Sequence, residues 1–331
     1  MSNARRADIR IKISDKDITE SVKPYVESIQ YTDIASGESD SVSITMRDDD
    51  KKWRGSWFPN KGETLSLSII YKWWNRKTKS QVYKCGTFTI DDVTLTGGPA
   101  TITIGAIAIP EKEEFHIKER NKTWENIRIR DIAQEIAARS KISLVYTAKD
   151  ITVKSIEQNS QTDSEFLYEL CSTYGLGMKV FAKKIIIFNE EDYEKAKPVA
   201  TIKEDDVTKW SFNTTLAKTY TGAKITYSDS DKDIVVNIGS GKRIKKVSVS
   251  ADSIKDAELK GAAIVNEENK KESTIQLTML ADPKLYAGAT IQLTGFGKAS
   301  GKYFITKITT NVGGSTQMTV SGYRVFERIT R

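Results

Sequence analysis

Histidine is nearly absent: His116 is the sole one among 331 residues, and cysteine occurs twice, at Cys85 and Cys171. A Ser–His–Asp or Cys–His arrangement would therefore have to use His116. That residue lies in Phe115-His116-Ile117, which reads as a strand, so it is taken as a surface or structural side chain. One His and two distant Cys supply no spaced ligand cluster, so neither a metal nor any other cofactor is expected. The cysteines sit in unlike contexts and read as two reduced, partly buried thiols rather than a disulfide. Only 6 prolines occur, with no Pro-rich or Gly/Ser-rich linker, which predicts domains tied closely together. No apolar run approaches the roughly 20 residues needed to cross a bilayer, so no membrane insertion is expected. The opening MSNARRADIRIKISD lacks the apolar core of a signal peptide, so synthesis and folding are expected in a cytoplasm.

What is present is charge, aromatics and β pattern. Hydrophobic residues make up 38% of the chain, enough for two or three domains with their own cores. The 13 Tyr, 10 Phe and 6 Trp argue against disorder. Net charge is +7, which permits nucleic-acid contact without requiring it. Lysines are scattered singly along alternating strands. The densest basic run, Lys242-Arg243 and Lys245-Lys246, has no interleaved aromatics for base stacking. It is read as a solvated or inter-subunit loop, and no specific nucleic acid is expected.

Residues 7–105 alternate with period 2: Ile9, Ile11, Ile13; Val42, Ile44, Met46; Leu65, Leu67, Ile69; Phe88, Ile90; Ile102, Ile104. That spacing marks strands with one face buried, and turn signals such as Pro59-Asn60-Lys61-Gly62 separate them. In 111–203 the pattern changes. Ile129, Ile132, Ala133 and Ile136 predict a helix over 129–139. Thr162-Asp163-Ser164-Glu165 is a capping box that starts a second helix, ended by Gly175. A hairpin over 178–188 turns at Lys183-Lys184. From 204 the β pattern returns, interrupted at 252–271 by an Ala- and Glu/Lys-rich helix. The expected architecture is β-rich α+β. A first antiparallel β-barrel (1–110) and a second one crossed by one helix (204–331) flank a small α/β module (111–203).

The two β regions end alike. Gly62-Glu63-Thr64-Leu65-Ser66-Leu67 parallels Gly288-Ala289-Thr290-Ile291-Gln292-Leu293 at an offset of 226. Gly86-Thr87-Phe88-Thr89-Ile90 parallels Gly301-Lys302-Tyr303-Phe304-Ile305 at 215. Gly97-Gly98 with Ile102 and Ile104 parallels Gly313-Gly314 with Met318 and Val320. The first copy thus carries 11 extra residues within 71–84, a lengthened hairpin loop. Duplication has a consequence for assembly. Three chains with two equivalent units each present six seats in a ring, and two chains present four.

Other motifs read as turns. Asp48-Asp49-Asp50 lacks calcium-loop spacing. Gly239-Ser240-Gly241-Lys242 lacks the first Gly and the Ser/Thr that a phosphate loop needs. Trp53, Trp57, Trp73 and Trp74 lie in loop-like, basic segments. Core packing is one reading, above all for Trp57. The Trp73-Trp74 pair in the lengthened hairpin reads as a protein interface, and Trp53, Lys242 and Arg243 are further interface candidates.

The stretch from Gln161 to Leu176, then Tyr220-Thr221-Gly222-Ala223-Lys224-Ile225-Thr226-Tyr227, resembles the phage late control D family. So do Asp282-Pro283-Lys284-Leu285-Tyr286-Ala287-Gly288, Gly295-Phe296-Gly297 and Ser300-Gly301-Lys302-Tyr303. The resemblance covers about 120–326, and the N-terminal half of VgrG proteins is built similarly. It implies a structural baseplate hub, not an enzyme: a homotrimer assembled in the bacterial cytoplasm and carried in a contractile tail or tail-like particle. The implied partners are a tail spike protein, a tail tube protein, a tape-measure protein and other baseplate proteins. The chain ends after the second β unit, so the spike is expected as a separate polypeptide. Two other readings remain: a carbohydrate-binding tail protein using exposed Trp, and a cell-wall hydrolase with paired carboxylates in the α/β module.

Overall fold

The computed structural model describes residues 4–74, 80–108, 113–182, 184–229, 232–313 and 315–330. The tip of the lengthened hairpin (75–79), Lys183 and Gly314 lie outside the described residues. The N-terminal region carries β1 (Arg6–Ile13), β2 (Lys16–Asp17), α1 (Thr19–Val22), β3 (Val26–Ile34), β4 (Ser41–Arg47), β5 (Thr64–Lys72), β6 (Gln81–Gly97) and β7 (Ala100–Ile107). The middle carries α2 (Glu113–His116), β8 (Glu119–Arg128), α3 (Ile129–Arg139), β9 (Ser143–Tyr146), β10 (Thr152–Thr162), α4 (Asp163–Thr173), β11 (Leu176–Phe181), β12 (Lys184–Asn189) and α5 (Glu190–Lys195). The rest is β13 (Ala200–Lys203), β14 (Val207–Thr214), β15 (Gly222–Asp229), β16 (Lys232–Gly239), β17 (Ile244–Ser248), α6 (Ile254–Asn269), β18 (Ser273–Leu280), β19 (Thr290–Thr294), β20 (Gly301–Val312) and β21 (Gln317–Arg324).

The alternating strands behave as their period demands. Along β5 the odd residues Leu65, Leu67 and Ile69 are fully buried while the serines between them are half-buried. Each such aliphatic side chain contributes about 1.5–3 kcal/mol on leaving water. The strands run β14-β18-β21-β20-β3-β4-β7-β6-β5-β1-β2 in one large sheet, with β13 and β19 attached beside β20. Within the described residues these pairings do not return on themselves. What is seen is an extended, largely antiparallel sheet, in place of two separately closed barrels. One apolar core runs beneath both halves, from Ile9 to Val320.

Two further differences concern position. The strands β15, β16 and β17, expected in the second β unit, form their own three-stranded sheet. The helix α6 packs on that sheet through Ala257, Gly261 and Val265 and so does not cross the large one. Gly261 is required there, since a Cβ would lie 2.2 Å from Ile225 Cδ1. The second difference is His116, which closes the short helix α2 and is not on a strand.

The α/β module follows its local signals. The helix α3 spans the 129–139 stretch, and α4 opens on the capping box, with the Glu165 amide donating to Thr162 Oγ1 and the Thr162 amide to Glu165 Oε2. Gly175 at φ +66° ends it. His116 is mostly buried, edge-on to Phe115, and among the described residues its Nε2 has no hydrogen-bond partner. Burial lowers its pKa to about 4, against an opposing pull from Glu165. The unfolded chain then holds more protons than the native one between pH 6.5 and 4. The His116 contribution to stability is therefore full above pH 6.5 and is lost as pH falls toward 4. Wild type is expected to lose on the order of 2–3 kcal/mol more than His116→Phe over that window. Urea unfolding at a series of pH values checks it; identical slopes for both proteins would refute it.

Candidate assembly interface

The strand register reproduces the internal repeat residue by residue. In the first copy Leu65 faces Phe88 and Leu67 faces Gly86; in the second Ile291 faces Tyr303 and Leu293 faces Gly301. The next pairing agrees as well: Val93 faces Ile104 and Leu95 faces Ile102, as Ile308 faces Val320 and Thr310 faces Met318. One irregularity of this pairing coincides too. A register shift between Ile90 and Asp92 recurs between Ile305 and Lys307. The matched glycines share their backbone: Gly62 and Gly288 at φ +89° and +91°, Gly86 and Gly301 at +125° and +150°.

The correspondence extends to strands the sequence did not pair. Ile29, Ile44 and Ile104 stand abreast on β3, β4 and β7, and Trp210, Leu277 and Val320 on β14, β18 and β21. A shift between Val26 and Ser28 recurs between Val207 and Lys209. Each copy is thus a five-strand unit, β3-β4-β7-β6-β5 and β14-β18-β21-β20-β19. The two differ at one flank, where β1 runs antiparallel to β5 but β13 runs parallel to β19. They join where β20 of the second copy pairs with β3 of the first, from Lys307 opposite Ile34 to Val312 opposite Ile29.

Buried ions fasten the α/β module onto this junction. Lys179 of β11 ion-pairs with Asp33 of β3 and, at 3.0 Å, with Asp40, and donates to the Ile34 carbonyl at 2.7 Å. Asp33 also accepts from the Ala287 amide of the second copy at 2.8 Å. Burial raises the Asp40 pKa to about 6, against the pull of Lys179. A second cluster joins the C-terminal segment to α5 and α6. Arg328 pairs with Glu190 at 3.0 Å and Glu194 at 2.7 Å, and Lys270 pairs with Glu190 at 2.6 Å. Burial alone would raise the Glu190 pKa, but Lys270 and Arg328 hold it below the usual carboxylate range. Glu190, Lys270 and Arg328 line a cleft of about 520 Å3 with Tyr168, Cys171 and Tyr323. The Cys171 thiol is pushed up to about 12 by burial, which leaves it a poor nucleophile.

The five candidate interface residues do not converge. Trp74 is 3% exposed, tilted against Tyr71, and its Nε1 donates to the Ala281 carbonyl at 2.5 Å. It fills the core between the two copies and offers no surface. Trp53 is also 3% exposed and meets Trp57 edge to face. Both have basic, loop-like flanks, yet both belong to the large apolar core. Trp73 is half-buried with φ +56°. Lys242 is exposed and Arg243 half-buried in the turn between β16 and β17, where Arg243 donates to Thr219 Oγ1. Asp48 is no cation ligand: it is buried and accepts from the Trp53 amide at 3.0 Å and Arg54 Nε at 2.9 Å. Among the described residues no group of three or more His, Cys, Asp or Glu could hold a metal ion, and no helix is long and apolar enough to cross a membrane.

No family model matches the sequence. Among curated proteins, the chain is 27% identical over 218 residues to the probable baseplate hub protein of Escherichia phage 186, covering 64% of this chain and 54% of that protein. It is 24% identical over 221 residues to its counterpart in Escherichia phage P2, covering 65% and 54%. The match thus spans about half the length of the curated relatives. Among solved structures, the 43 kDa tail protein of prophage MuSo2 from Shewanella oneidensis superposes with a TM-score of 0.74 at 13% identity, over 96% of this chain and 98% of that one. A type VI secretion system component of E. coli superposes at 0.59 and 11% identity, over 98% and 78%. By sequence the chain is similar to probable phage baseplate hub proteins, and its fold is that of phage tail and type VI secretion proteins.

Proposed function

We propose that the protein is the structural hub of a contractile-tail baseplate, a homotrimer joining a sixfold tail tube to a threefold spike. The observation that carries this reading is the register-matched pair of five-strand units. Two equivalent units per chain make six similar seats from three chains, each unit acting as one tube-like segment. The curated relatives support the same reading by their names. In this role residues 1–110 and 204–331 supply the seats and 111–203 braces them, while 222–269 forms a separate lobe. The partners are the tail spike, tail tube and tape-measure proteins and other baseplate chains. Assembly takes place in the bacterial cytoplasm, and the protein ends in the particle. Binding rests on large subunit interfaces and involves no catalysis. A glycan-binding role is weakened by Trp53 and Trp74, whose rings are inside the core.

Light scattering of the full chain, alone and with its spike protein, tests the proposal. The expected mass is that of three copies, rising on addition of spike. A monomer that ignores the spike would sink it.

A further inference from the structure

The repeat has one internal junction and, by its own equivalence, two unused edges. In the junction, residues 307–312 of β20 lie beyond that strand's pairing with β19 and are taken up by β3. The equivalent residues of β6 are 92–97, which lie beyond its pairing with β5, and among the described residues no strand takes them up. The counterpart of β3 is β14, which pairs with β18 on one side alone. Both edges are exposed. Leu95 on one is 42% exposed and Trp210 on the other 37%. Open edges with unused amides and apolar side chains invite another strand.

We infer that β6 of one copy pairs antiparallel with β14 of the next, repeating between chains the β20–β3 junction found within each. This rests on the hub reading and deepens it by naming the seam. The internal register transfers directly. Val93 stands opposite Thr214, Thr94 opposite Asn213, Leu95 opposite Phe212, Thr96 opposite Ser211 and Gly97 opposite Trp210. Leu95 and Phe212 then cover each other, as their counterparts Thr310 and Tyr31 do in the buried internal junction. Gly97, lacking a side chain, leaves room for the Trp210 indole. The contact uses different surfaces on the two chains, so it is head-to-tail, and a closed ring leaves neither of these two edges free.

Differently tagged copies bearing Thr94→Cys and Asn213→Cys, co-expressed as full chains and oxidised, test the register. Both native cysteines are buried. Residues directly opposite have Cβ atoms about 4.5–5.5 Å apart, so a disulfide between the two tags is expected. Thr94→Cys with Thr214→Cys should give several-fold less, because neighbouring residues point to opposite faces. A multimer by light scattering that gives no Thr94–Asn213 bond, or favours Thr214, overturns the seam and leaves the hub reading standing. A monomer with no cross-link overturns both.

Discussion

Lys179→Met is expected to lower stability at pH 7 by about 3–5 kcal/mol, the usual cost of leaving buried charge without its partner. Asp33 and Asp40 are buried within reach of the Lys179 ammonium, which meets Asp40 at Oδ1, and among the described residues Asp40 Oδ2 has no hydrogen-bond partner. The pH dependence follows from Asp40. With its native pKa raised to about 6, the native state holds a proton there that the unfolded chain has released. Its contribution is therefore full below about pH 4 and is lost as pH rises through about 6. Removing the ammonium raises that pKa further, so the deficit of the variant should shrink as pH is lowered from 7 to 5. Denaturant unfolding at both values checks this, and a deficit that grows at pH 5 would refute it. Adding Asp33→Asn and Asp40→Asn should recover part of the loss at pH 7, because neutral amides need no cation. The cluster spans β3, β11 and the segment before β19, so the variant should also loosen the module from the sheet.

Trp74→Ala is expected to cost a comparable 3–5 kcal/mol or so, the usual range for deleting a buried indole. It empties space beside Tyr71 and strips the Ala281 carbonyl of its donor. Trp74→Phe should keep part of the packing and still lose about 1–3 kcal/mol for the orphaned carbonyl. Thermal unfolding and light scattering together decide between core and interface. A fully stable Trp74→Ala protein that fails to assemble would restore the interface role and defeat the core reading.

The Trp74 case shows where sequence reading reaches its limit. Its neighbours Lys72, Trp73, Asn75 and Arg76 make a polar context, and nothing within ten residues announces that Ala281, 207 positions away, will receive its indole. His116 fails for the same reason, as its environment is set by Phe115 and the burying α/β module. The capping box at Thr162 was legible because its partner is three residues along the chain. The repeat was legible for a different reason: similar side-chain alternation was visible twice, and the register of each hairpin follows from it.

By itself the sequence determined the β-rich class, the α/β module with its two capped or periodic helices, and the duplication. These depend on contacts within a turn, a hairpin or a copy of the same pattern. Only the tertiary structure decided that the two copies share one sheet through β20 and β3, that 222–269 has its own small core, and that the equivalent edges of β6 and β14 stay open. Pairing between distant strands depends on which backbone edges are left after the local hairpins have formed, and side-chain alternation does not encode that remainder.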